Sequence, residues 1–149
     1  LRIAKQAKNG GSLRIFSSKQ SLRTVTEETW ELLEHLGLKD LAIRPAKNLA
    51  YGDQRVLEVA IAMAGNPKIL FLDEPTAGMS PTETKHISKL IKELSKKICV
   101  VLVEHDMDMI MSISDKITVL QYGSTIAEGT PEEIRNNQQV REAYLGKEE

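Results

Sequence analysis

Apolar and polar positions alternate in two different textures along the 149-residue chain, and the change falls near residue 48. Before it, residues 9–21 mix Ser, Lys and Gly and read as a loop. A helix is expected from Thr26, whose hydroxyl would cap it, with Glu27 and Glu28 in the positive first turn. Trp30, Leu33 and Leu36 then share a face, and Gly37 supplies the stop. Trp30 is read as local core in preference to an anchor for a partner.

After residue 48, strand and helix patterns alternate, which predicts an α/β fold with a parallel sheet. The best strands are 68–72 and 98–103, whose near-continuous apolar character suits strands covered by helices on both faces. Between them Ser80-Pro81-Thr82-Glu83 makes a capping box with proline at the first helical position, and Ile87, Leu90, Ile91 and Leu94 recur at helical spacing. Residues 116–121 turn at Tyr122-Gly123 into 124–128, a short hairpin. Thr130-Pro131-Glu132-Glu133 repeats the capping box and opens a C-terminal helix, after which the last segment is expected to pack on the outside.

A net charge of -1 supplies no positive field for nucleic acid or an acidic membrane surface. The longest apolar run, 98–103, is far short of the ~20 residues a membrane helix needs, so association with a membrane must come through a protein partner. Cys99, within that run, is expected to be a buried small hydrophobe, and with no second cysteine the chain fits a reducing, cytoplasmic setting. Leu1 is not an initiator methionine and no export signal follows it, so the opening reads as cut.

Ligands of open α/β sheets bind beyond the carboxyl ends of the strands. There the first strand ends in Leu72-Asp73-Glu74-Pro75 and the second in Val103-Glu104-His105-Asp106, so both sets are expected on one rim. Alternation along extended chain makes the Asp73 and Glu74 carboxylates diverge, with Pro75 keeping Glu74 out of helical geometry. One carboxylate can face hydrated magnesium and the other an attacking water, while His105 is able to donate a hydrogen bond to a terminal phosphate. A second candidate is Leu49-Ala50-Tyr51-Gly52-Asp53-Gln54, leading into a helix over 55–64 with Val56, Val59, Ala60 and Met63 at apolar positions. Gly52 permits close backbone approach, and free amides at a helix start attract anions. On spacing alone, a phosphate site and an ordinary glycine turn remain equally open there.

These stretches resemble the ABC ATPase family. Leu49 to Gln54 is similar to its signature, Ile69-Leu70-Phe71-Leu72-Asp73-Glu74 to its Walker B strand, Ala77-Gly78-Met79-Ser80 to its D-loop and His105 to its switch histidine, all in family order. Residues 1–48 are similar to part of the helical subdomain, and 49–149 to the C-terminal part of the P-loop NTPase-like core. Within the family the chain looks most like ATP-binding subunits of branched-chain amino acid importers, through Glu104-His105-Asp106-Met107, Ile113-Ser114-Asp115, Gly129-Thr130-Pro131 and Ala143-Tyr144-Leu145-Gly146.

The resemblance implies a homo- or heterodimer of ATP-binding subunits, peripheral on the cytoplasmic face of the membrane and bound to membrane-spanning permease subunits. Each ATP would lie between one subunit's P-loop and the other's signature. It further implies Asp73 as the magnesium residue, Glu74 as general base, His105 as γ-phosphate sensor, and Leu49, Ala50, Tyr51, Gly52, Asp53, Gln54 and Ser80 as nucleotide contacts. Ala50 stands where the family usually has serine, and Ser80 where many members have aspartate. No Gly-Lys-Ser/Thr occurs, so the P-loop is missing and the chain alone is expected to be inactive. Lipopolysaccharide export, a non-transport ABC protein and a non-catalytic remnant are the alternatives; the long heptads of repair members are absent from residues 1–48. His35 and His86 are expected in solvent, and Met107, Met109, Ile110 and Met111 in helix core.

Overall fold

The computed structural model describes residues 1–8 and 19–144. Helices α1 (Arg2–Lys8) and α2 (Lys19–His35) are followed by two short 3-10 turns, Lys39–Leu41 and Ala46–Asn48. Then come α3 (Tyr51–Met63), β1 (Ile69–Asp73), α4 (Pro81–Ser95), β2 (Cys99–Val103) and α5 (Met107–Ile113). The chain continues through β3 (Ile117–Gln121), β4 (Ser124–Gly129), α6 (Pro131–Asn136) and α7 (Gln138–Tyr144). β1 and β2 pair in parallel from Ile69 opposite Cys99 to Asp73 opposite Val103, and β3 and β4 form an antiparallel hairpin with a register shift between Val119 and Leu120.

Local chemistry starts α4 where the sequence predicts. Ser80 keeps an extended backbone while its hydroxyl accepts the Glu83 amide, and the Glu83 carboxylate returns to the Ser80 amide at 2.9 Å. Ile87, Leu90, Ile91 and Leu94 are all buried. Leu90 and Leu94 join Leu33, Leu36 and Leu38 from the α2 end, Val56, Val59 and Ala60 of α3 and Leu70 of β1 in one core. Ile87 and Ile91 meet Met109 of α5, while Ile117, Val119, Ile134 and Val140 form a cluster under the hairpin. Burial of each such side chain contributes on the order of 1.5–3 kcal/mol, so α4 ties both halves of the molecule to β1 and β2.

Several expectations change. Helix α2 already includes residues 19–21, and residues 9–18 of the expected loop lie outside the described residues. Thr26 is therefore interior to α2; a capping residue needs a non-helical backbone, which it lacks. The buried stripe of α2 runs Val25, Thr29, Leu33 and Leu36, and Trp30, about 100° round the helix from Thr29, is 43% exposed instead of core. Gly37 does end the helix, with φ +71° and the Leu38 amide bonded back to the Leu33 carbonyl at 2.8 Å. Asn137 breaks the C-terminal helix and caps α7 through its side chain, and Val140 turns inward, so this segment enters the core.

Cys99 is exposed, against expectation. Among the described residues, helices cover one face of the β1–β2 sheet, the face of Leu70, Leu72, Val100 and Leu102. Cys99 shares the other face with Ile69, Phe71, Val101 and Val103, all exposed.

Candidate functional site

The parallel register sets the rim. Asp73 lies opposite Val103, and the Glu74 amide donates to the Val103 carbonyl at 2.9 Å, extending the ladder one residue past β1. Glu74 then takes φ +42°, a left-handed conformation and not the extended one expected from Pro75. Proline disfavours right-handed helix at the residue before it without requiring extension, and the turn is closed by the Ala77 amide on the Glu74 carbonyl at 3.1 Å. Asp73 ends β1 on the uncovered face with Phe71.

Glu74 Oε1 stands 3.5 Å from His105 Nδ1, and both side chains are well exposed to solvent. Asp106 caps α5 by accepting the Met109 amide at 3.0 Å, which fixes the turn that carries His105. Glu104, directly before His105, turns inward, with Oε2 3.9 Å from His105 Nδ1. Its carboxylate is wholly buried and accepts from the amide and the hydroxyl of Thr76 and, at 3.3 Å, from the His105 amide.

The second candidate segment sits at the start of α3. Ala50 is the extended N-cap residue, but its methyl group makes no capping hydrogen bond. Gln54 Nε2 instead donates to the Leu49 carbonyl at 3.0 Å, holding the approach to the helix. The Tyr51 hydroxyl donates to the Ala77 carbonyl at 3.0 Å and accepts from Arg55 at 2.7 Å, with the guanidinium over its ring. A Cβ at Gly52 would lie 2.9 Å from Glu83 Oε1. The Ser80 hydroxyl, the Ser80 amide and then the Gly52 amide hold the Glu83 carboxyl below its ordinary range. A cleft of about 430 Å³ opens here, lined by Ala50, Gly52, Asp53, Met79, Glu83 and His86 among others.

The structure thus brings Glu74 and His105 together at one rim, with Asp73 directly before Glu74 at the end of β1, and connects the Tyr51–Gly52 segment to that rim through the 74–80 loop. Ser80 serves α4 as its cap, and Asp53 lies in the first turn of α3. Sequence reading missed Thr76 and the inward turn of Glu104. The available signal was an acid directly before a histidine at a strand end, together with a threonine two residues past Glu74. His35 and His86 are exposed, and Met109 is buried with Met107, Ile110 and Met111 half-buried, as expected.

A parallel strand pair with a crossover helix and polar strand ends fits a P-loop NTPase-like α/β core. The chain belongs to the ABC transporter family, whose model matches residues 3–77; a second family model, for the branched-chain amino acid ATP-binding cassette transporter, matches residues 124–149. It is 51% identical over 133 residues to the high-affinity branched-chain amino acid transport ATP-binding protein LivG of Salmonella typhimurium, covering 88% of this chain and 51% of that protein. The lipopolysaccharide export system ATP-binding protein LptB of Haemophilus influenzae is 32% identical over 123 residues, 82% of this chain and 51% of LptB. In three dimensions the chain is similar to MJ1267, an ATP-binding cassette of an ABC transporter, with a TM-score of 0.77 and 28% identity, over 97% of this chain and 61% of that one. The chain spans about half the length of the curated relatives it matches.

Proposed function

We propose that this chain supplies the signature, Walker B and switch-histidine portion of an ATP-hydrolysing subunit that powers import of branched-chain amino acids. The observation that carries the reading is the 3.5 Å approach of Glu74 to His105 at the ends of two paired parallel strands. An acid and an imidazole held side by side at that rim can share one water: Glu74 accepts its proton as the water attacks, and His105 donates to the outermost phosphoryl group. Leu49 to Gln54 and Ser80 then approach the nucleotide held by the partner subunit. In this reading residues 1–48 belong to a helical subdomain that meets the permease, and 49–149 to the ATPase core.

Asp73, an exposed carboxylate at the end of β1 directly before Glu74, would hold magnesium there. Magnesium takes few carboxylates and shares the substrate's phosphates, whose charge it would offset. With no Gly-Lys-Ser/Thr in the sequence, the isolated chain is expected to show no ATP turnover. The subunit is proposed to act as a dimer on membrane-spanning permeases, on the cytoplasmic face, and no helix among the described residues is long and apolar enough to cross a membrane itself.

The match of residues 124–149 to the branched-chain amino acid transporter model favours amino acid import over lipopolysaccharide export. The test is ATP turnover by the full-length subunit assembled with its permease in vesicles. Glu74→Gln should leave ATP binding intact and lower turnover by about a hundredfold to ten-thousandfold. Unchanged turnover in that variant would overturn the reading, and turnover indifferent to leucine, isoleucine and valine would remove the cargo assignment.

A further inference from the structure

Glu104 has no part in the reaction just described, yet its side chain is wholly buried beside it. A carboxylate withdrawn from water is costly unless hydrogen bonds replace its hydration, and an acid at a strand end is ordinarily solvated. Here the replacement is specific. One oxygen takes both the amide and the hydroxyl of Thr76, itself 8% exposed, and the other takes the His105 amide. Thr76 lies two residues past Glu74, on the loop after β1; His105 is on the loop after β2. Glu104 therefore joins the two loops that present the reacting pair. The left-handed backbone of Glu74 sharpens the need, because such a conformation in a non-glycine residue persists only where its surroundings hold it.

We propose that Glu104 is a positioning residue: by bridging Thr76 and His105 it sets the distance between Glu74 and His105. The inference rests on the proposed roles of those two residues. It predicts that Glu104 acts on the rate of reaction and not on nucleotide affinity, since displacement of a reacting group by an ångström costs about a hundredfold.

In the full-length subunit assembled with its permease, Glu104→Ala should lower kcat about tenfold to a hundredfold with KM for ATP within about twofold of wild type. Thr76→Val removes the hydroxyl donor while leaving the acid in place and should lower kcat in the same sense, whereas Thr76→Ser should restore it. Groups that act as a unit are non-additive, so adding Glu104→Ala to His105→Ala should cost little beyond His105→Ala alone. A kcat for Glu104→Ala equal to wild type, a loss confined to KM, equal activities for Thr76→Val and Thr76→Ser, or full additivity with His105→Ala would each overturn the bridge. Should Glu104→Ala fail to fold, the two threonine variants decide. Loss of turnover in Glu74→Gln with none in Glu104→Ala and Thr76→Val sinks this inference while the proposed function stands; normal turnover in Glu74→Gln sinks both.

Discussion

The two faces of the β1–β2 sheet are built from the same kinds of residue and meet opposite fates. Leu70 is 4% exposed and packs against α3 and α4, while Phe71, the next residue of the same strand, is 73% exposed. Val100 and Leu102 lean on α4 and α5; Cys99, Val101 and Val103 face away. Apolar alternation therefore reports what a strand is able to bury, and only the packing of other elements decides which side is buried. A contiguous uncovered apolar face of this kind is a contact surface or an aggregation liability.

The sharpest way to break this comparison is to truncate neighbours. Leu70→Ala should cost about 2–5 kcal/mol in urea unfolding, whereas Phe71→Ala, on the open side, should fall within about 0.5 kcal/mol of wild type. Equal costs would mean that the open face is covered in solution, and concentration-dependent sedimentation that disappears in Phe71→Lys would identify self-association as the cover. A smaller effect tests the covered side at its edge. Ser80→Ala removes the α4 cap and should cost about 1 kcal/mol by the same unfolding measurement.

Smallest is the pH response of the two capping boxes. Glu83 and Glu133 are both held below the ordinary carboxylate range, chiefly by hydrogen bonds from Ser80 and Thr130 respectively. Their folded-state values lie below the unfolded ones, so the stability they supply is complete above the unfolded value and declines as pH falls through the folded value. Glu83→Gln and Glu133→Gln should each flatten the acid limb of stability against pH, and an unaltered limb would show that the caps do not titrate with folding.

Features governed by a few neighbouring residues were legible in the sequence. Both capping boxes, the Gly37 stop and the Tyr122-Gly123 hairpin depend on side chains a few positions apart, and all are present. The convergence of Glu74 and His105 followed from one further rule, that parallel strands deliver their carboxyl ends to a common edge. Where reading failed, the deciding partner was remote or absent from the local pattern. Thr26 has a capping side chain, but α2 starts well upstream of it. Cys99 sits in an apolar run, yet its burial depends on which side the helices occupy. Glu104 looks like another rim acid until Thr76, 28 residues earlier, draws it inside.

The close approach at Gly52 has a mechanical meaning. A methyl group there would press on Oε1 of the Glu83 carboxylate, whose Oε2 is the Ser80 clasp, so that end of the side chain would have to shift. With the Tyr51 hydroxyl anchored on Ala77 as well, the leading ends of α3 and α4 are yoked, and a tug on either is felt by the other.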